Sequence, residues 1–264
     1  MLKKITHKKC QTVADAKEKR PLADLLKAIS PGNFEFSKAI KQSEWALIAE
    51  CKLVSPAKGP LCTDYSVPEL AQIYTDNGAT ALSVHTDVHF SGRLEDIAAV
   101  RAVTTLPILR KDFIIDGYQI YEARVAGADA VLLIANILSD DQLKEYLGIA
   151  HELGMDALVE VHTLEELDRV QQTPATLVGI NNRNLETFIT DVQNTFDLLP
   201  YCDKGRIIIS ESGVNHGAEA QHLQMAGVRG VLVGEGLVKA TDIAEKTREL
   251  AMINKINGGT QHAE

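Results

Sequence analysis

The sequence predicts a (β/α)8 barrel, a TIM barrel, with an N-terminal helical extension, and three observations predict it. Eight short apolar runs recur through the 264 residues at intervals of roughly 20 to 35. Gly78, Gly127, Gly154 and Gly227 each follow an amphipathic stretch and stand just ahead of an apolar run. Several runs end on an ionisable or amide side chain instead of a turn residue. Glycine just past a helix end suits the left-handed residue that terminates a helix, so the four glycines mark helix-to-strand junctions. Runs dominated by Val, Ile, Leu and Ala suit parallel strands buried on both faces. A doubly wound open sheet competes, but it usually carries a glycine-rich phosphate loop after its first strand. Here the first strand is followed by LVSPAKGP.

Taken in order, residues 1–45 precede the first strand and contain a helix in PLADLLKAI after Arg20. They are too few to bury a core of their own and are read as an extension packed on a barrel of residues 46–264. Strands are predicted at 46–52, 81–86, 107–112, 130–135, 156–161, 177–182, 206–212 and 230–234. Between them, Ser66-Val-Pro68-Glu69, Ser139-Asp-Asp-Gln142 and Thr163-Leu-Glu-Glu166 place a hydroxyl three residues before Glu or Gln. That is the capping-box pattern of a helix start.

Composition narrows the function. A net charge of −9 and a pI near 5.4 oppose nucleic acid or a membrane surface as the main partner. Cysteines at 10, 51, 62 and 202 have neither zinc-site spacing nor the density of a disulfide scaffold. The start MLKKITHKKC has no apolar core of secretory length. A cytoplasmic enzyme is expected.

In a parallel barrel the carboxyl ends of the strands open onto one face, where active sites lie. Side chains alternate between faces along a strand, so Glu50 and Lys52 share a face while Cys51 points towards the helices. Lys111, Glu160, Asn181 and Glu211 end other strands, and Arg183 joins Asn181 if that strand continues. Such a cluster of charges is costly without function. Ser212-Gly213 after the seventh strand and Gly234-Glu235-Gly236 after the eighth lie where barrels of this kind hold phosphate on backbone amides, and Ser55 in the first loop can add a hydroxyl. His85, Asp87 and His89 lack the helical face that would make their spacing a metal site, so ordinary loop histidines are expected.

IAECKLVSPAKG, LRKDFI, LVEVHT, GINNRNLETF, ISESGV and VGEGL occur in that order, and together they resemble the indole-3-glycerol-phosphate synthase family across the whole barrel. The resemblance implies conversion of 1-(2-carboxyphenylamino)-1-deoxyribulose 5-phosphate to indole-3-glycerol phosphate, with loss of carbon dioxide and water, in tryptophan biosynthesis. It implies no metal and no organic cofactor. Transient contact with other tryptophan-pathway enzymes is the macromolecular partnership it allows. It makes Lys111 the acid that protonates the ketone oxygen and gives Glu160 acid or base work in the later steps. Glu50 and Lys52 would stand beside the substrate, with Asn181, Arg183 and Glu211 orienting its anilino and carboxylate parts. Ser55, Ser212, Gly213, Gly234 and Glu235 would form the phosphate site, and Phe90, Phe113, Leu132 and Leu185 would lie near the anthranilate ring. Pro56 is expected to set loop shape. Lys52 would lower the Lys111 pKa while the glutamates raise it, and the sequence leaves that balance open.

The chain departs from the family pattern at His85, where leucine is usual, at Arg93, at Ala57 and at Asn184. The His85 change puts the packing of the second strand end in question. Two other readings remain at this stage. Phosphoribosylanthranilate isomerase, a related barrel, would need a catalytic cysteine on the inner face of strand one, where Glu50 and Lys52 stand. A non-catalytic phosphosugar-binding barrel would be expected to have lost the acid or a glutamate.

Overall fold

A computed structural model describes residues 2–56, 58–184, 187 and 189–253. Three helices, α1 (Leu2–Lys19), α2 (Leu22–Ala28) and α3 (Glu35–Gln42), precede the first barrel strand, β1 (Ala46–Cys51). A two-stranded antiparallel ribbon, β2 (Val54–Ser55) and β3 (Gly59–Pro60), rises from the loop after β1. Then come α4 (Val67–Asp76), β4 (Ala81–His85), α5 (Glu95–Arg101), β5 (Ile108–Lys111), α6 (Tyr118–Ala126) and β6 (Ala130–Ile134). The middle of the chain adds α7 (Asp140–Glu152), β7 (Asp156–Val161), α8 (Leu164–Gln171), β8 (Leu177–Asn181) and α9 (Gln193–Leu198). It ends with β9 (Ile207–Glu211), α10 (Gly217–Ala226), β10 (Gly230–Val233), α11 (Glu235–Val238) and α12 (Ile243–Leu250).

Eight strands close in the order β1-β10-β9-β8-β7-β6-β5-β4, every neighbour parallel. This is the (β/α)8 barrel the apolar runs predict, and each strand falls within or at the predicted run. The junction glycines hold positive φ of 91° at Gly78, 101° at Gly127, 65° at Gly154 and 105° at Gly227. Those backbones strain any residue with a Cβ, which is why glycine recurs there.

Caps form where predicted, with one correction. Gln142 N donates to Ser139 Oγ at 3.2 Å and Ser139 N to Gln142 Oε1 at 3.0 Å, a reciprocal box. The Ser66 amide donates to Glu69 Oε2 at 2.7 Å. At α8 only half of the box forms: Glu166 N donates to Thr163 Oγ1 at 3.2 Å, but the Glu166 carboxylate reaches back to the His162 amide at 2.7 Å. The reciprocal arm lands one residue early because the His162 ring also holds that carboxylate.

Alternation divides the core into two layers. Leu47, Ala49, Cys51, Val159 and Val231 face the helices, whereas Ala46, Ile48, Leu109, Leu158, Ile209 and Leu232 fill the barrel interior. Phe36 and Ile40 of α3 join the interior layer, closing the amino-terminal end of the barrel beneath it. The Ser37 amide fixes α3 there by donating to Asp156 Oδ2, at the start of β7, at 2.8 Å. Helix α1 lies at the opposite end. Its Lys9 ammonium is buried against Asp87 Oδ2 at 2.7 Å and Asp112 Oδ1 at 2.6 Å, just beyond β4 and β5. The sequence reading found α2 but neither α1 nor α3. Among the described residues no helix is long and apolar enough to cross a membrane.

Candidate active site

The carboxyl ends of the strands enclose a cavity of about 280 Å³. Glu50 and Lys52 from β1 and its end, Lys111 from β5, Glu160 from β7, Asn181 from β8 and Glu211 from β9 all line it. Parity explains the convergence, because each stands on the inner face near the carboxyl end of its strand, where pairing sets Asn181 against Glu211 and, on the neighbouring strands, Ile134 against Glu160. Arg183 also lines the cavity, but not by strand extension: β8 stops at Asn181, and Arg183 is held by an isolated antiparallel bridge to Thr190. Two glycines make room for the acids. A Cβ on Gly179 would fall 2.0 Å from Glu211 Oε1, and one on Gly234 would fall 2.3 Å from Glu50 Oε1.

Lys111 is the hub. Its Nζ lies 2.7 Å from Glu211 Oε2 and 3.2 Å from Glu160 Oε2. Burial alone would push this lysine down, but Glu211, Glu160 and Glu50 outweigh it and hold the ammonium well above its ordinary value. The balance the sequence left open therefore falls to the glutamates. Burial likewise disfavours the charged forms of Glu50 and Glu160, and their charged and hydrogen-bonding partners reverse the sign in both cases. His85, Lys52 and Lys111 hold Glu50 well below the usual carboxylate range, and Lys111 with His162 does the same for Glu160. Glu211 goes the other way. Burial, with the Glu160 charge nearby, pushes it up to about 7 despite Lys111.

One side of the cavity is apolar. Phe90, Phe113, Leu132 and Ile134, from β4, β5 and β6 and the loops after them, line it, with the Phe90 and Phe113 centroids 6.4 Å apart. Pro56 lines the cavity too, beyond the loop-shaping role expected of it. Leu185, predicted beside the ring, lies outside the described residues. The other side carries Ser55, Ser212, Gly213, Asn215, Gly234, Glu235 and Gly236. Ser212 and Gly213 both have left-handed backbones, with φ of 67° and 87°. The Glu235 carboxylate is engaged by Lys58 at 2.7 Å and Lys239 at 2.8 Å, with Arg183 3.9 Å away.

His85 is the last residue of β4, buried, and not the loop histidine expected. Its Nε2 lies 3.2 Å from Glu50 Oε2 and its ring stacks on Phe90 at 4.3 Å, so the departure from leucine is packed into the site. Burial lowers its pKa, Glu50 opposing. His89 pairs instead with Asp87 at 2.7 Å. Cys51 points into the outer core, where burial raises its thiol pKa strongly, so strand one offers no inner-face thiolate.

Several site residues escaped the sequence reading, among them Ile134, Asn215 and Leu232 of the cavity wall. Ile5 of α1 lines the cavity from a helix that was not predicted, and Lys58 lines it from the first loop. His162 could have been found by parity, since it stands two residues beyond Glu160 in LVEVHT.

Comparison with known proteins now adds identity. A family model described as indole-3-glycerol phosphate synthase matches residues 2–250. Among curated proteins, the indole-3-glycerol phosphate synthase of Legionella pneumophila (strain Paris) is 45% identical over 253 residues, covering 95% of this chain and 98% of that one. That of Desulforamulus reducens is 46% identical over 257 residues, covering 96% and 97%. Solved structures share the fold at low identity. The 3-hexulose-6-phosphate synthase from Salmonella typhimurium has a TM-score of 0.61 at 16% identity, covering 79% of this chain and 97% of that one. KGPDC from Streptococcus mutans has a TM-score of 0.59 at 14% identity, covering 80% and 96%.

Proposed function

From the premise that this chain belongs to the indole-3-glycerol phosphate synthase family, we infer how its own residues carry out the ring closure. The substrate is 1-(2-carboxyphenylamino)-1-deoxyribulose 5-phosphate. Loss of carbon dioxide and water gives indole-3-glycerol phosphate, which makes the chain a carboxy-lyase of tryptophan biosynthesis. The observation that carries the reading is Lys111, an ammonium held between Glu160 and Glu211 at the centre of a cavity apolar on one side and rich in backbone amides on the other.

The arene carbon bearing the carboxylate attacks the ribulose ketone, and Lys111 delivers a proton to the ketone oxygen as negative charge develops there. Carbon dioxide then leaves, which restores aromaticity. The new hydroxyl departs as water with loss of a ring proton, and Glu160, ionised in the resting site, takes the proton-transfer role. Glu50 and Lys52 flank the reacting centre, 3.5 Å apart. Asn181, Arg183 and Glu211 orient the anilino and carboxylate parts. Phe90, Phe113 and Leu132 hold the arene. The amides of Ser212, Gly213, Gly234 and Glu235, with the Ser55 hydroxyl, meet the phosphate; the Glu235 carboxylate, already tied to Lys58 and Lys239, does not. On this reading residues 1–45 belong to the same catalytic unit as the barrel, because α1 contributes Ile5 to the cavity. Four free cysteines support a reducing, cytoplasmic compartment.

The test is a fluorescence assay for indole-3-glycerol phosphate with the parent chain and Lys111→Met. The expected outcome is turnover by the parent and a loss of about 10²- to 10⁴-fold in the variant, with phosphate-ligand binding retained. Near-normal turnover in Lys111→Met would remove Lys111 as the acid.

A further inference from the structure

We propose that His162 and Glu166 are positioning residues for Glu160: the His162 ring, held as an imidazolium by Glu166, keeps Glu160 ionised after Lys111 has given up its proton. This rests on the reading of Glu160 as the group that transfers the later proton.

The ring is wedged between two carboxylates. Nε2 lies 3.3 Å from Glu160 Oε1 and Nδ1 lies 3.2 Å from Glu166 Oε2. A neutral imidazole would turn a lone pair towards one of those anions, whereas an imidazolium sets positive charge against both, through the Nδ1 hydrogen bond to Glu166 and the Nε2 ion-pair contact with Glu160. Glu166 is itself fixed from three sides, by the His162 ring, by the His162 amide at 2.7 Å and by Asn136 Nδ2 at 2.7 Å. Asn194 Nδ2 donates to the His162 carbonyl at 3.3 Å and to the Asn181 carbonyl at 3.1 Å, tying the end of β7 to the end of β8. The charged groups facing the ring are therefore Glu160 and Glu166, with Lys111 behind Glu160; the amides of Asn136 and Asn194 complete the shell. Burial pushes the ring down, but hydrogen bonding and charge from Glu160 and Glu166 carry it up to about 10.

Why the site needs this follows from charge. Lys111 serves two carboxylates, and when its proton moves to the ketone oxygen neither retains an ammonium. A buried carboxylate without a counter-ion takes up a proton. Among the described residues Glu211 has no second cation within ion-pair distance, whereas Glu160 has His162. The ring moves no proton to the substrate; it decides which of the two acids stays a base.

The experiment uses the full chain and two variants, Glu166→Gln and His162→Gln. It measures pH profiles of kcat and kcat/KM and follows the ring nitrogens by 15N NMR. In the parent, both ring nitrogens are expected to stay protonated at about pH 8. In Glu166→Gln the ring should titrate at lower pH, and the basic limb of kcat should move down with it to the same apparent pKa. In His162→Gln the acidic limb of kcat/KM should move up, because Glu160 has lost a cation, and kcat should fall about tenfold while KM changes little. A ring that is neutral at about pH 8 in the parent overturns the proposal, and so does a Glu166→Gln ring titration that shifts while the rate profile does not. If His162→Gln does not fold, the parent and Glu166→Gln decide the matter. A parent that makes no product sinks the assigned reaction instead, and the ring titration still reports whether the imidazolium exists.

Discussion

Glu160 and Glu211 flank one ammonium yet are shifted in opposite directions: burial and the Glu160 charge push Glu211 up, whereas Lys111 and His162 together overcome burial and hold Glu160 down. The asymmetry predicts a pH effect on stability. The Glu211 pKa rises from 4.5 to about 7 on folding, so between those values the folded chain binds more protons than the unfolded one. Stability contributed by Glu211 is then full below 4.5 and is lost as pH rises towards 7. Glu211→Gln removes that loss. Its melting temperature relative to the parent should climb across the window and match or exceed the parent at about pH 8, while kcat falls. A Glu211→Gln deficit that widens with pH would contradict the raised pKa. The positions of these acids were legible in the sequence, because strand parity fixes which face Glu50, Lys52, Lys111, Glu160 and Glu211 share. Their charge states were not, because a pKa depends on distances of a few ångströms between side chains far apart in the chain.

Single elements carry the site in two ways. Helix α1 reaches over the mouth and is held by Lys9, whose ammonium is buried between Asp87 and Asp112. Asp112 also accepts from Arg110 Nη2 at 2.9 Å and Thr86 Oγ1 at 2.7 Å, but Lys9 is the cation that joins it to Asp87. Lys9→Met should therefore cost about 1.5–3 kcal/mol in denaturant unfolding, since it removes a charged donor shared by two buried carboxylates that keep Arg110 and His89, and it should raise KM by freeing Ile5 from the cavity wall. A cost below about 1 kcal/mol would mean that the pair is solvated. On β8 the constraint is space. Gly179→Ala would drive a methyl into Glu211 Oε1, so kcat should drop while the phosphate end of the site binds as before; parent-like kcat would show that Glu211 can move aside at little cost. The strands could be read in advance because burial on both faces leaves an apolar run, and the glycines could be read because φ near 100° admits little else. Helix α1 could not, since KKITHKKCQTVADAKEK is mostly polar and its contacts are scattered: Lys9 in the ion-pair cluster, Val13 packed with Leu25 and Tyr118, and Lys17 against Asp116. Helix α3 is eight residues long, and its two barrel-filling side chains, Phe36 and Ile40, are too sparse to announce a helix.

At the scale of the whole molecule, the barrel separates stability from chemistry by placing them at opposite ends. The mouth concentrates buried charge, which costs stability, and the opposite end offsets this with an apolar plug from α3. The phosphate substrate adds a second constraint, since a chain of net charge −9 repels it overall and the cations of the cavity wall, Lys52, Lys58, Lys111 and Arg183, each lie against a glutamate of the same wall. That the plug serves folding alone can be tested at Phe36, which is fully buried and packs against the interior layer that includes Ile48, Leu109 and Leu232. Phe36→Ala should cost about 3–5 kcal/mol, because the transfer free energy of the ring is lost and the cavity left beneath the strands cannot collapse far in a closed barrel. That corresponds to a fall in melting temperature on the order of 10 °C for a chain of this size. Below the new transition, kcat/KM should stay within about twofold of the parent, because the substitution removes no group that touches the substrate. Equal stability would mean that α3 does not close the barrel, and a large loss of kcat/KM in a folded variant would mean that the two ends are coupled through the strands.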